Sequence, residues 1–152
     1  MTPEQITLVR SSFARVVPVA RSTAALFYAH LFEAQPALRA LFKGDMDDQG
    51  AKLLQMIGAA VGLLDKPQTL LPVLRQLGAR HGGYGVQPAH YDAVGTALLK
   101  TLAQGLGPHF DAATREAWTT MYTLVATTMI DAAEQAAAAL TPPQPAPAAV
   151  TA

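Results

Sequence analysis

The chain has 152 residues, of which 51% are hydrophobic, and 11 Lys and Arg side chains balance 11 Asp and Glu side chains. This length suits one domain that buries roughly 70% of the surface of the unfolded chain. The zero formal net charge argues against nucleic acid as the main partner, because phosphate binding needs clustered positive charge. The absence of cysteine excludes disulfides, thiolate zinc sites, iron–sulfur clusters and a cysteine nucleophile.

The amino-terminal segment does not resemble a targeting signal, because no cationic stretch is followed there by an apolar run. No uncharged apolar stretch of about 18 residues precedes the carboxyl-terminal tail, so no membrane span is expected. We therefore expect a cytoplasmic protein. The small, neutral chain permits either a monomer or a homodimer.

Apolar residues recur at steps of three and four along nearly the whole chain, and this spacing predicts helices. The clearest runs begin at Ile6, Leu53 and Trp118. No stretch of alternating apolar and polar residues competes with them, so the sequence predicts an all-α class. The unequal helix lengths and a proline corner at Pro36 favour about seven crossed helices over a four-helix bundle.

Capping residues, prolines and glycines predict where the helices begin and end. Thr2, Pro3 and Gln5 predict a capping box that begins the first helix, which Pro18 ends or bends. Further elements are predicted as a helix over residues 22–33, a short turn over 36–42, a polar loop over 43–48 and a helix over 49–64.

In the second half of the chain, Lys66-Pro67 is predicted to break the long helix. The next helix is expected over residues 70–80, and Gly82-Gly83 is expected to stop it, because glycine accepts the left-handed conformation. Two more helices are predicted over 88–105 and from about 111 past 130, with a break at Gly107-Pro108. Residues 1–135 form the predicted domain, and residues 136–152 are predicted to be a helical extension that continues into a disordered Ala/Pro-rich tail.

The four histidines are His30, His81, His90 and His109, and no two stand three or four residues apart. A helical His pair for zinc is therefore excluded. His30 is expected to be a satisfied or partly exposed side chain, and His90 and His109 are expected at the surface. His81 ends an amphipathic helix beside a glycine turn. Spacing alone leaves two roles open for His81. It is either a capping or core histidine, which is the commoner case, or a ligand whose ring points away from the helix.

Four segments, in their order and spacing, resemble the globin family over about residues 4–132. Leu77-Gly78-Ala79-Arg80-His81, followed by Tyr84-Gly85-Val86, is similar to the globin helix that carries the haem-ligating histidine. The other similar segments are residues 26–42 with Pro36 and Phe42, residues 90–99, and residues 106–122. The resemblance is to bacterial single-domain haemoglobins of the Vitreoscilla type, to flavohaemoglobin haem domains and to neuroglobin. It implies a globin fold around haem b, which is iron protoporphyrin IX.

The resemblance also assigns roles by position. It implies that His81 is the iron ligand, that Phe42 stacks on the porphyrin, and that Tyr28 and Gln49 form the pair of donors on the opposite, distal side. This pair is typical of the bacterial proteins, whereas neuroglobin has histidine at the position of Gln49. The other implied haem contacts are Lys52, Leu53, Met56, Leu77, Arg80, Val86, Tyr91 and Val94. Lys52 is expected either to pair with a haem propionate or to be a solvated charge.

Two neutral distal donors stabilise dioxygen by about 1 kcal/mol each. A glutamine amide is a poor iron ligand, so the resemblance implies a five-coordinate ferrous iron that is open to O2, NO and CO. One departure concerns the proximal side, where the bacterial proteins link the histidine to a tyrosine and a glutamate. Tyr91 matches the tyrosine, but Ala133 stands at the glutamate position, with Glu134 about 100° further round the helix. We therefore expect His81 to donate to a backbone carbonyl.

The predicted function is reversible O2 binding, in oxygen storage or delivery or in nitric oxide detoxification. Nitric oxide dioxygenation needs electrons, and no flavin or NAD module follows the last helix, so a separate reductase is expected. Enzyme status is therefore left open. The alternatives are a gas sensor, an electron-transfer globin with an internal sixth ligand, and a structural protein that has lost haem. The presence of His81 and Phe42 argues against the last.

Overall fold

The computed structural model describes residues 1–140, which form six α-helices joined by short turns. The helices are α1 (Pro3–Val16), α2 (Ala20–Ala34), α3 (Met46–Gly62), α4 (Pro67–Gly83), α5 (Pro88–Leu106) and α6 (Ala112–Leu140). Short 3₁₀ segments lie at Val17–Val19, Pro36–Leu41 and Gly107–His109. The all-α prediction is confirmed, with six α-helices in residues 1–140 against about seven predicted, and the turn predicted over 36–42 is the 3₁₀ segment Pro36–Leu41. The predicted disordered tail, from residue 141 onwards, lies outside the described residues. None of the helices up to residue 140 combines the length and the hydropathy that a membrane span needs.

Local hydrogen bonds set the helix starts. The predicted capping box is confirmed, because Gln5 N donates to Thr2 Oγ1 at 3.1 Å and Thr2 N donates to Gln5 Oε1 at 3.0 Å. Helix α3 begins at Met46, inside the segment predicted as a loop. The reason is Asp45, whose carboxylate accepts from Asp47 N at 2.8 Å and so caps the helix earlier.

The start and the end of α4 also differ from prediction. The helix starts at Pro67, since proline suits the first helical position. It then runs through Gly82 and Gly83 in helical conformation. The left-handed turn falls later, at Gly85, where φ is 90°. As a result, His81 lies within the last turn of a continuous helix.

The helices pack around two buried clusters. The larger cluster surrounds Trp118 and joins α1, α3, α4, α5 and α6. The smaller cluster surrounds Phe27, Tyr28 and Leu31 and joins α2 to the 3₁₀ segment, to α3 and to α5. Helix α4 packs chiefly on α6, while α3 packs on α1 and α2. Helices α3 and α4 are consecutive in the chain but make little direct contact in the described fold, and a cleft separates them.

Trp118 anchors the larger cluster through a buried hydrogen bond. Its side chain is 1% exposed, and its Nε1 donates to Ser12 Oγ at 2.7 Å. Ser12 Oγ in turn donates to the Leu8 carbonyl oxygen at 2.7 Å. Because serine can both donate and accept, this one hydroxyl satisfies the buried indole and ties α6 to α1.

Replacing Ser12 tests this link. Ser12→Ala leaves the buried indole N–H of Trp118 without an acceptor, so the free energy of unfolding should fall by about 1–3 kcal/mol. Equilibrium urea unfolding measures the change. Ser11→Ala, at an exposed position of the same helix, is the matched control and should stay within about 0.5 kcal/mol of the wild type. Equal effects of the two substitutions would contradict the assignment.

Candidate functional site

The half-buried His81 has one ring nitrogen fixed by the backbone. Its Nδ1 lies 2.7 Å from the carbonyl oxygen of Leu77, one turn earlier in α4. A carbonyl only accepts, so Nδ1 carries the proton at this contact and Nε2 of the neutral ring has a free lone pair. This backbone partner is the one expected from the sequence. A histidine held in this way is oriented to bind a metal through Nε2.

The turn after α4 brings a second aromatic ring beside His81. Val86 N donates to the His81 carbonyl at 3.1 Å, and Gly85 supplies the positive φ that closes the turn. Within this turn, the Tyr84 ring centroid lies 6.0 Å from the His81 ring centroid, although Tyr84 is 66% exposed. The sequence predicted only a turn at Tyr84. The contact of Tyr84 with His81 depends on which glycine adopts the left-handed conformation. The sequence offers Gly82, Gly83 and Gly85 and does not decide between them.

Tyr28 is buried among aromatic rings at the start of α3. It is 7% exposed, with the Phe42 ring edge-on at 5.2 Å and the Phe32 ring stacked at 5.7 Å. Its hydroxyl donates to the backbone carbonyl of Gln49 at 3.4 Å. Burial raises the pKa of Tyr28 to about 12, so the hydroxyl remains a neutral donor at physiological pH.

The structure brings Gln49 to Tyr28 through its backbone rather than its amide. The Gln49 amide Nε2 donates instead to the Lys43 carbonyl oxygen at 2.9 Å. Gly50 permits this close approach of α3 to α2, because a Cβ there would lie 2.8 Å from Ala24 Cβ. Tyr28 is therefore the buried donor, and the half-buried Gln49 amide lies at the rim with an alternative partner.

The remaining predicted contacts fall into two groups. Phe42, Leu53 and Val94 pack against the cluster that contains Tyr28. Met56, Leu77 and Arg80 line a cavity of about 170 Å³ between α3 and α4. The apolar members of both groups are half-buried, as is Val86, while Lys52 and Arg80 are exposed. Apolar surfaces on facing helices, with charges at the edge, fit a flat apolar group that carries acidic substituents.

Tyr91 supplies an orphaned polar atom. Its hydroxyl is buried and has no hydrogen-bond partner in the described part of the chain, and burial raises its pKa. Its backbone carbonyl accepts from the Tyr122 hydroxyl at 2.6 Å, which fixes the start of α5. A buried hydroxyl without a partner is costly, so its position also fits a cofactor that offers a polar edge. The methyl side chain of Ala133, at the predicted glutamate position, offers no acceptor to Tyr91.

The other histidines have partners or are exposed. His30 Nε2 lies 2.9 Å from Gln104 Oε1, which satisfies it as predicted. His90 was predicted as a surface residue but is half-buried, because its Nδ1 accepts from Gln87 N at 3.0 Å and caps α5. His109 is exposed, as predicted. His81 directly follows Arg80, which lines the cleft between α3 and α4.

Comparison with known proteins identifies relatives for this arrangement. The globin family profile matches residues 25–129. Neuroglobin from Danio rerio is 35% identical over 118 residues, which cover 68% of this chain and 74% of neuroglobin. A flavohemoprotein from Xylella fastidiosa is 29% identical over 133 residues, which cover 86% of this chain. This chain spans only 33% of that flavohemoprotein.

Solved structures share the crossed-helix architecture. An engineered carbene transferase, made from a Rhodothermus marinus protein assigned as a nitric oxide dioxygenase, superposes with a TM-score of 0.82 at 27% identity. The match covers 92% of this chain and 98% of that one. A bacterial globin from Campylobacter jejuni gives a TM-score of 0.77 at 25% identity, over 88% of this chain and 97% of that chain. These similarities confirm the globin fold that the sequence predicts.

The buried Tyr28 hydroxyl predicts a particular alkaline instability. Its pKa is raised to about 12 in the folded protein, against about 10 in the unfolded chain. From about pH 10 upwards the unfolded chain loses this proton and the folded protein retains it, so stability falls as pH rises through this range. Tyr28→Phe lacks this contribution, and its unfolding free energy should decline less steeply.

Urea unfolding at stepped pH measures the decline, with the absorbance of tyrosinate as a second readout. Tyr84→Phe, which removes an exposed hydroxyl, is the matched control and should keep the wild-type slope. A wild-type slope in Tyr28→Phe would show that the Tyr28 hydroxyl is not protected by burial.

Proposed function

The chain belongs to the globin family, and on this premise we propose that it carries haem b and binds dioxygen reversibly, with NO and CO as further ligands. Family membership supports haem-based gas binding. The observation that carries the proposal is the hydrogen bond of 2.7 Å between His81 Nδ1 and the Leu77 carbonyl oxygen. It leaves Nε2 free to bind iron beside a cleft lined by apolar side chains.

Haem would supply an iron atom that binds a diatomic gas, and His81 would hold that iron. The Leu77 carbonyl fixes the tautomer and the ring orientation of His81. Phe42, Leu53 and Met56 would contact the haem and exclude water, which would slow oxidation of the iron. The exposed Lys52 and Arg80 would pair with its propionates.

The distal donors differ in what they lose when they engage a ligand. The Tyr28 hydroxyl gives up a long contact of 3.4 Å, so its new hydrogen bond contributes about 1 kcal/mol net. The Gln49 amide must release the Lys43 carbonyl at 2.9 Å, so it exchanges one good hydrogen bond for another. Tyr28 is therefore the main stabilising donor. Because a glutamine amide is a poor iron ligand, Gln49 would leave a five-coordinate ferrous iron open to gas.

Two roles use this chemistry, oxygen storage or delivery and nitric oxide detoxification. The second needs a reductase that returns the iron to the ferrous state. It is supported by the similarity to the flavohemoprotein and to the Rhodothermus protein. Turnover separates the two: when a reductase and its electron donor are added, a dioxygenase returns to the ferrous state and forms nitrate from NO over many cycles, whereas a carrier that the reductase does not reduce forms it once per haem.

Replacing the proposed iron ligand tests the proposal. His81→Gly should lose the haem absorbance band of the purified protein and regain it when imidazole is added, because free imidazole can occupy the vacated ligand position. His109→Gly removes an exposed histidine and should leave the spectrum unchanged. Retention of the wild-type ferrous spectrum by His81→Gly without imidazole would overturn the assignment.

Dissociation of dioxygen tests the distal donors. Tyr28→Phe should release oxygen about 5-fold faster than the wild type, the factor that corresponds to about 1 kcal/mol. Gln49→Leu should have the smaller effect. Stopped-flow displacement of oxygen by CO measures both rates. A six-coordinate ferrous spectrum of the wild type without added ligand would contradict the open site and favour an electron-transfer or sensing role.

A further inference from the structure

Helix α4 lies directly on the backbone of α6 at two glycines that flank His81. A Cβ added to Gly78 would lie 2.5 Å from Met129 Cα and would also meet the Met129 carbonyl oxygen. A Cβ added to Gly82 would lie 2.9 Å from Ala133 Cβ. Carbon atoms in favourable contact are about 3.5–4.0 Å apart, so neither position accepts a side chain unless the helices separate.

The two contacts belong to successive turns of one helix crossing. Gly78 and Gly82 are four residues apart, and so are their partners Met129 and Ala133, so each pair shares a helix face. Helix α4 makes most of its packing contacts with α6 and few with α3 in the described fold. The separation between α4 and α6 therefore sets the position of α4, and His81 moves with it.

We propose that Gly78 and Gly82 are positioning residues, which place His81 by letting α4 rest on the α6 backbone. The proposal depends on the proposed function, in which His81 binds the haem iron. It also explains why Ala133 stands where a glutamate is expected. The Ala133 methyl lies under Gly82, and a longer side chain there would separate the helices. In this chain, direct helix packing holds the proximal side instead of a carboxylate.

A displacement of α4 has an effect distinct from loss of the local hydrogen bond. The contact between His81 Nδ1 and the Leu77 carbonyl lies within α4 and moves with the helix. A methyl group at position 82 requires a shift of about 1 Å, because packed interiors leave no spare space. The shift changes the distance from His81 to the cofactor while the ring keeps its orientation in the helix.

The Gly82–Ala133 contact permits a compensation experiment on the haem-loaded protein. Gly82→Ala should shift the iron–histidine stretching band in the resonance Raman spectrum and speed haem loss to a scavenger apoprotein by about 10-fold. The double variant Gly82→Ala with Ala133→Gly removes the opposing methyl and should return both values towards the wild type. The single variant Ala133→Gly completes this double-mutant cycle.

Gly83→Ala is the matched control, because it adds the same methyl one residue further along, where nothing lies within 4 Å. Its band and haem loss should equal those of the wild type. Gly78→Ala meets backbone and should have the largest effect, with a fall in Tm of about 4–10 °C. If Gly78→Ala does not fold, the comparison of Gly82→Ala, Ala133→Gly and their double variant still tests the proposal.

Three results would overturn the proposal. One is a Gly82→Ala variant that matches Gly83→Ala in band position and haem loss, and another is a double variant that stays as altered as Gly82→Ala. A lower Tm with an unmoved band would also contradict it, since that is the effect of packing alone. Failure of the proposed function has a different signature, because the wild type and Gly83→Ala would then both lack the iron–histidine band.

Discussion

The packing of α4 on α6 is the constraint on which the rest of this structure depends. Because Gly78 lies against the Met129 backbone and Gly82 against the Ala133 methyl, α4 packs closely on α6 and makes little contact with α3. The consecutive helices α3 and α4 therefore remain separate, with apolar side chains on the surfaces that face each other. The cleft is a consequence of where α4 packs, and His81 belongs to the same helix turn as Gly82 and as Arg80, which lines the cleft.

Helix positions and fold class follow from local patterns and could be predicted from the sequence. The capping box at Thr2 depends on residues three apart, and the apolar periodicity around Trp118 depends on one helix face. The errors arise where two local signals compete. Asp45 caps α3 within a segment rich in loop residues, and Gly82 supports helix packing where glycine commonly ends a helix. These residues can be read from the sequence, but the contact in the folded protein that decides between their two roles cannot.

The candidate site could be predicted as a set of residues but not as a geometry. The resemblance placed Tyr28, Gln49, Phe42 and His81 around one cofactor, and the fold brings Tyr28, Gln49 and Phe42 together while His81 is held by the Leu77 carbonyl on α4. The sequence could not show that the Gln49 amide binds the Lys43 carbonyl, because the choice between two acceptors depends on the path of the loop between them. The contact of Tyr84 with His81 is likewise a product of the turn.

The hydrogen bond between Trp118 and Ser12 has a consequence for how the protein can change over time. It joins α1 to α6 at the larger cluster, while Tyr28 and Phe42 belong to the smaller one. The α1–α6 link thus belongs to a different cluster from Tyr28. Substitutions at the half-buried Gln49 should therefore add to substitutions in the α1–α6 framework without coupling to them, which leaves that rim of the molecule free to diverge among descendants while the framework is retained.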